Sequence, residues 1–172
     1  PWTIPANLGI CLNKDYTYAL VESEKGKLIV LEELVDALWE KFGLETKKKL
    51  ATYKGSELEM ITCQHPLYDR ESLVILGDHV TADAGTGCVH TAPGFGADDF
   101  FIGQKYGLPA YCNVDEHGCM MEDAGDWLKG QYVDDANKTV TQRLDAMGAL
   151  LKLEFITHSY PHCWRCKKPV IF

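Results

Sequence analysis

The chain has 172 residues, of which 46% are hydrophobic and 24% charged, with 17 Lys and Arg against 25 Asp and Glu for a formal net charge of −8. This length suits about one domain, and the composition is that of an ordinary globular protein, which excludes disordered and collagen-like chains. No apolar run approaches the roughly 18 residues of a membrane-spanning helix, and so acidic a balance argues against a broad non-specific nucleic-acid surface while allowing local contact with a nucleic-acid end.

The elements follow in chain order. Residues 1–7 (PWTIPAN) hold two prolines and a tryptophan and cannot be helix interior. They read as an extended entry segment. Residues 16–21 and 27–31 are β-branched, aromatic and aliphatic, and Ser23-Glu24-Lys25-Gly26 between them predicts a hairpin. Leu34, Val35, Leu38, Trp39 and Phe42 are spaced for one face of a helix over 32–42, stopped by Gly43. Lys47-Lys48-Lys49 reads as a solvated charge run or a weak phosphate contact. Short strands are predicted at 59–62, 72–76 and 87–91. A helix is expected over 97–106, with Asp98 and Asp99 in its first turn, where carboxylates gain about 0.3–1 kcal/mol from the helix dipole. Asp134 or Asp135 caps a further helix whose apolar positions are Ala136, Val140, Leu144 and Met147. A last strand is predicted over 150–157. Strict βαβ alternation is missing, so the fold class is mixed α/β, mainly β, on a curved or closed sheet with two or three helices outside it.

The seven cysteines are odd in number and scattered, which suits reduced cytosolic thiols better than a disulfide framework. Pro1 rather than Met opens the chain, and no basic-then-apolar leader follows. Residues 169–172 read like the start of a strand. The expectation is a segment of a longer cytoplasmic protein, forming one domain over 1–172.

The segment 85–100 (GTGCVHTAPGFGADDF) is the densest in chemistry. It is not a dinucleotide fingerprint, because His90 stands at the third glycine position. A strand–loop–helix corner would bring His90 and Asp99 near each other, with glycines allowing a ligand close to the backbone. A plain sheet-to-helix turn with a capping aspartate explains the same residues. Cys88 and His90, two apart on a strand, share a face; they read either as a thiol with its base or as inert packing. Cys163 and Cys166 form a C-x-x-C, which suits zinc, a redox dithiol or two unligated thiols. His158 and His162 lie nearby, and a half-site completed from elsewhere is the metal arrangement that this spacing favours. His65 and His79 are isolated and read as structural or surface residues.

Taken together, PWTIPAN at 1–7, GTGCVHTAPGFGADDF at 85–100 and HSYPHCWRC at 158–166 resemble the editing domain of isoleucyl-tRNA synthetase, an insertion in the catalytic domain of a class I enzyme. The resemblance spans essentially the whole chain. It implies a distorted closed β-barrel surrounded by helices, with 158–172 returning towards the catalytic core. It implies hydrolysis of tRNA(Ile) mischarged with valine, in a pocket too small for isoleucine, because one methylene is worth only about 1–3 kcal/mol in an apolar pocket. By position, it implies that Asp99 holds the α-ammonium of the misattached amino acid. His90 lines the pocket and excludes isoleucine, and Thr3 belongs to a threonine-rich segment around substrate and water. Trp2 and Tyr160 flank the valine side chain. Gly85, Thr86 and Gly87 face the terminal adenosine, and Thr91 joins the same binding wall. Zinc on Cys163 and Cys166 is implied for the full-length protein, none for this segment alone. The implied partners are the tRNA 3′ end and the catalytic domain of the same chain, with no membrane. Phe95 stands where relatives often carry His, and the threonines that usually precede Pro-Trp-Thr are absent. A second reading is a non-catalytic module that binds an aminoacyl-adenosine end.

Overall fold

Seven strands form two sheets in a computed structural model that describes residues 1–172. The first sheet holds β1 (Gly9–Leu12), β5 (Thr62–Gln64), β6 (Glu71–Leu76) and β7 (Val89–Thr91), in the order β5-β6-β1-β7. The second holds β2 (Thr17–Ser23), β3 (Gly26–Leu31) and β4 (Lys48–Lys54), in the order β3-β2-β4. The predicted hairpin is present. Ser23 closes its turn, its hydroxyl donating to Gly26 C=O at 2.7 Å and accepting from Lys25 N–H at 3.1 Å.

Two strands escaped the sequence reading. β1 is four residues long and opens on glycine, yet it is central, parallel to β6 and antiparallel to β7. β4 contains Lys48 and Lys49 of the charge run and pairs with β2 through a bulge at Leu20/Val21. Lys47 pairs with Asp36, and Lys49 reaches Glu32 at 3.5 Å. Conversely, the strand predicted over 150–157 is not formed. Nothing pairs its backbone, and Phe155 is 93% exposed.

The hydrogen-bonded ladders are two open sheets, so backbone pairing does not close the barrel that the resemblance implies. The sheets meet instead mainly through side chains, with one main-chain bond at the gap. Tyr18, Leu31, Leu12, Leu58 and Val74 form a buried cluster between them. At the gap between β3 and β7, Leu31 N–H donates to Thr86 C=O at 3.0 Å, and Tyr18 Oη donates to Gly87 C=O at 2.6 Å.

Four helices cover the sheets: α1 (Val35–Phe42), the short α2 (Gly55–Leu58), α3 (Ala97–Lys105) and α4 (Val133–Ala146). α1 buries Val35, Leu38 and Trp39 against Ala19, Val21 and Val30 of the second sheet. It stops at Gly43, as predicted, in a left-handed conformation (φ 67°). α4 buries Val133, Ala136, Val140 and Leu144 over Met120 and Leu128, each fully buried large apolar side chain being worth about 1.5–3 kcal/mol. Met147 is 52% exposed, one turn beyond the buried stripe. No helix is long and apolar enough to cross a membrane.

Candidate functional site

Two of the three sequence motifs meet at the edge of the first sheet. Residues Ile4–Ala6 form one 3-10 turn, entered through Thr3 and left through Asn7. Leu8 N–H then donates to Thr91 C=O at 3.0 Å, and β1 continues antiparallel to β7 with Ile10 opposite His90. The turn is thereby laid against the strand that carries His90.

A chain of polar groups results. Asn7 Oδ1 accepts from the Ser72 hydroxyl at 2.5 Å, which orients the amide. Asn7 Nδ2 donates to Gly9 C=O at 3.0 Å and to His90 Nδ1 at 2.6 Å. With Nδ1 accepting, the proton of neutral His90 sits on Nε2, which donates to Thr3 Oγ1 at 3.0 Å. Burial, then the N-terminal ammonium and His65, push the His90 imidazole down from 6.5 to about 4. It is therefore neutral at pH 7, and neither ring nitrogen is available to take a proton. His90 is thus a neutral ring fixed through both nitrogens, donating to Thr3 and accepting from Asn7.

The same shift makes stability depend on pH. Between pH 6.5 and about 4 the unfolded chain binds a proton at His90 that the folded chain does not. Stability is full at neutral pH and falls as pH drops through that window, by up to about 3 kcal/mol from this residue. Burial lowers His65 as well, so its contribution has the same sign. Urea midpoints at pH 7 and 4.5 should differ less for His90→Gln than for the unsubstituted chain. An equal difference would place the acid sensitivity elsewhere.

Asp99 lies in the first turn of α3 but does not cap it. The N-cap is Gly96, without a side-chain bond. Asp99 Oδ2 instead accepts from Ala92 N–H at 3.0 Å, two residues beyond His90 on the strand side of the loop. Burial raises its pKa, partly offset by that N–H and by His79. A half-buried carboxylate in this state gains from a cation that comes to it.

Trp2 joins these residues to the third motif. Its ring meets Phe95 edge to face at 4.9 Å, and its N–H donates to Asn137 Oδ1 at 3.0 Å. On its other side lies a cavity of about 310 Å³ shared with Asn137, His158 and Tyr160. That volume is at the small end of the roughly 300–1,000 Å³ of ligand pockets. Tyr160 is held there by its hydroxyl, which donates to Val170 C=O at 2.7 Å.

The remaining candidates are placed otherwise. Thr91 is fully buried and its hydroxyl donates to Val89 C=O at 3.2 Å. Gly87 has φ +81°, and a Cβ there would stand 2.2 Å from Leu31 Cγ, so packing between the sheets already requires this glycine. Gly85 and Thr86 line a separate cavity of about 150 Å³ with Lys41, Lys152 and Glu154. Cys88 is no nucleophile paired with His90. Its thiol donates to Ile29 C=O at 3.5 Å, burial pushes its pKa up to about 12, and both His90 nitrogens have other partners. Cys163 and Cys166 lie in one turn, where the backbone N–H groups of Cys166 and Arg165 hold the Cys163 thiol below its ordinary value. No third His, Cys, Asp or Glu joins them in a group able to hold a metal ion. The donor set therefore fits half a zinc shell and no more. Asn7 and Ser72 were missed as site residues. Asn7 stands inside the first motif, but nothing in the sequence pairs it with His90.

No protein-family model matches the chain. It is 57% identical over all 172 residues to isoleucine–tRNA ligase 1 of Oceanobacillus iheyensis, covering 19% of that protein. It is 55% and 56% identical, again over its full length, to the isoleucine–tRNA ligases of Geobacillus thermodenitrificans and Bacillus subtilis, covering 18% and 19% of them. The chain thus spans about a fifth of the length of these curated relatives. Among solved structures it superimposes on "The crystal structure of GlLeuRS-CP1" with a TM-score of 0.68 at 17% identity, covering 94% of this chain and 81% of that one. The fold is thus shared across a sequence divergence that leaves few residues in common. Identity this high over the whole chain settles the family: the chain belongs to the isoleucine–tRNA ligases, as a segment with the fold of a CP1 domain.

Proposed function

We propose that the chain is the proofreading domain of an isoleucine–tRNA ligase and that it hydrolyses valine misattached to tRNA(Ile). The observation that carries this reading is the bonding of the first motif to the second, Thr3 and Asn7 engaging the two nitrogens of His90, with Asp99 bonded to Ala92 two residues further along the chain and Tyr160 sharing a small cavity with Trp2. In this reading Asp99 receives the α-ammonium. Trp2 and Tyr160 enclose the side chain, His90 limits its length, and the Thr3 hydroxyl orients the ester or the attacking water. His90 Nε2–H occupies one lone pair of that hydroxyl and leaves its proton to donate. Gly85, Thr86 and Gly87 would meet the terminal adenosine, with the tRNA 3′ end and the catalytic domain of the same protein as partners. The protein works in the cytoplasm, where tRNA is charged. Deacylation of valyl-tRNA(Ile), compared with isoleucyl-tRNA(Ile), tests the reading in a full-length ligase carrying this segment. Equal rates on both esters, or none on the valyl ester, would reject it.

Cys163 and Cys166 supply two of the four ligands of a structural zinc. The full-length protein would provide the others. The 172-residue chain is expected to purify with less than one zinc, measured by elemental analysis. One tightly held zinc per chain, with unfolding on chelation, would show that it closes the site itself.

A further inference from the structure

The contact between Thr3 and His90 needs the 3-10 turn to sit in one place, and few of its own groups hold it there. Pro5 has no N–H to donate, and a 3-10 turn leaves carbonyls without intrahelical partners. The loop between β5 and β6 supplies partners for Pro5 and Asn7 and adds a second donor at Ile4 C=O, which already accepts from Asn7 N–H at 2.9 Å. Arg70 Nη2 donates to Pro5 C=O and, at 3.2 Å, to Asn7 C=O. His65 Nε2 donates to Ile4 C=O at 3.0 Å, its tautomer set by Leu67 N–H, which donates to Nδ1 at 3.0 Å. Three carbonyls of residues 4–7 are therefore gripped from one loop.

The grip is itself braced. The Arg70 guanidinium lies 4.9 Å from the Tyr68 ring centre and 5.5 Å from that of Tyr111. Tyr68 Oη donates to Ala124 C=O at 2.7 Å, and Tyr111 Oη to Asp123 at 2.7 Å. Arg70 is in none of the ion pairs of the structure. A cation held between rings and directed at two carbonyls serves orientation more than charge balance.

We propose that Arg70, with His65 beside it, is a positioning residue of the editing site, holding residues 4–7 so that Asn7 and Thr3 engage the two nitrogens of His90. This rests on the proofreading reading for its catalytic consequence but not for its geometric one. The first test reads the imidazole of His90 by nitrogen NMR of the intact chain labelled with 15N-histidine. The unsubstituted chain should show one neutral tautomer, protonated on Nε2. Arg70→Met should give a mixture of tautomers, and Arg70→Lys, which keeps a cationic donor, should restore the single form. If Arg70→Met is too unstable to study, Arg70→Gln gives the same reading, because its amide is two bonds too short to reach both carbonyls. The second test is kinetic, in the full-length ligase. Arg70→Met should lower kcat for valyl-ester cleavage about 10- to 100-fold with KM changed by less than about twofold, and Arg70→Lys should recover most of it. A lower melting temperature with an unchanged His90 tautomer and unchanged kcat would reduce Arg70 to a structural residue and overturn the proposal. Failure of the unsubstituted ligase to cleave valyl-tRNA would remove the proofreading reading, while the tautomer still decides on the clamp.

Discussion

Asp99→Ala is expected to remove valyl-tRNA hydrolysis from a full-length ligase carrying this segment, with isoleucine activation unchanged. A charge-assisted hydrogen bond is worth about 1.5–3 kcal/mol, so losing the counter-charge of the ammonium should cost roughly 10- to 100-fold or more in kcat/KM. The raised pKa of Asp99 adds to the argument, because a carboxylate disfavoured by burial is relieved when a cation docks against it. Asp99 has a second task, since its Oδ2 holds Ala92 N–H. Alanine would leave that N–H without a partner and cost stability as well. Asp99→Asn separates the two effects. Its amide oxygen still accepts from Ala92, so stability should return towards that of the unsubstituted protein while hydrolysis stays low. Valyl-tRNA deacylation by Asp99→Asn at the unsubstituted rate would sink the assigned role, whatever the stability shows.

His90→Ala should widen what the site accepts. Discriminating one methylene by contact is worth about 1–3 kcal/mol, or 10- to 200-fold, and depends on a wall that does not yield. The His90 ring is held at both nitrogens, by Asn7 and by Thr3, so it is rigid as well as bulky. With alanine in its place, hydrolysis of correctly charged isoleucyl-tRNA should rise by up to about that factor. Deacylation of both esters measures this directly. Loss of valyl cleavage without any gain on the isoleucyl ester would mean that His90 acts as a base, which its neutral state, its occupied nitrogens and its pKa of about 4 argue against. The pH profile gives an independent reading, since His90 should contribute no titration near neutrality.

Elements with strong local patterns were legible from the residues themselves. The apolar stripe of α1 and its stop at Gly43, the hairpin closed by Ser23 and Gly26, and the buried face of α4 all follow from spacing and turn chemistry. β1 was not legible because four residues opening on glycine carry no period. It is a strand only because β6 and β7 flank it. β4 was hidden by its lysines, which bond to the sheet through their backbone while their side chains reach solvent and, from Lys49, Glu32 just ahead of α1. The stretch 150–157 has strand-like composition and no partner, so composition alone misled there.

The sequence by itself determined the family and supplied the candidate site residues, because the three motifs that hold them are local and specific. It could not decide how those motifs meet. Tertiary structure set Asn7 on His90, turned Asp99 from its own helix towards Ala92, placed Trp2 between Phe95 and the cavity of Tyr160, and brought Arg70 under the turn of residues 4–7. Apart from that of Asp99 with Ala92, seven positions away, these contacts join residues about 60 to 160 positions apart. Local propensity extends over a few residues, whereas hydrogen-bond partners across such separations exist only once the sheets have formed and paired.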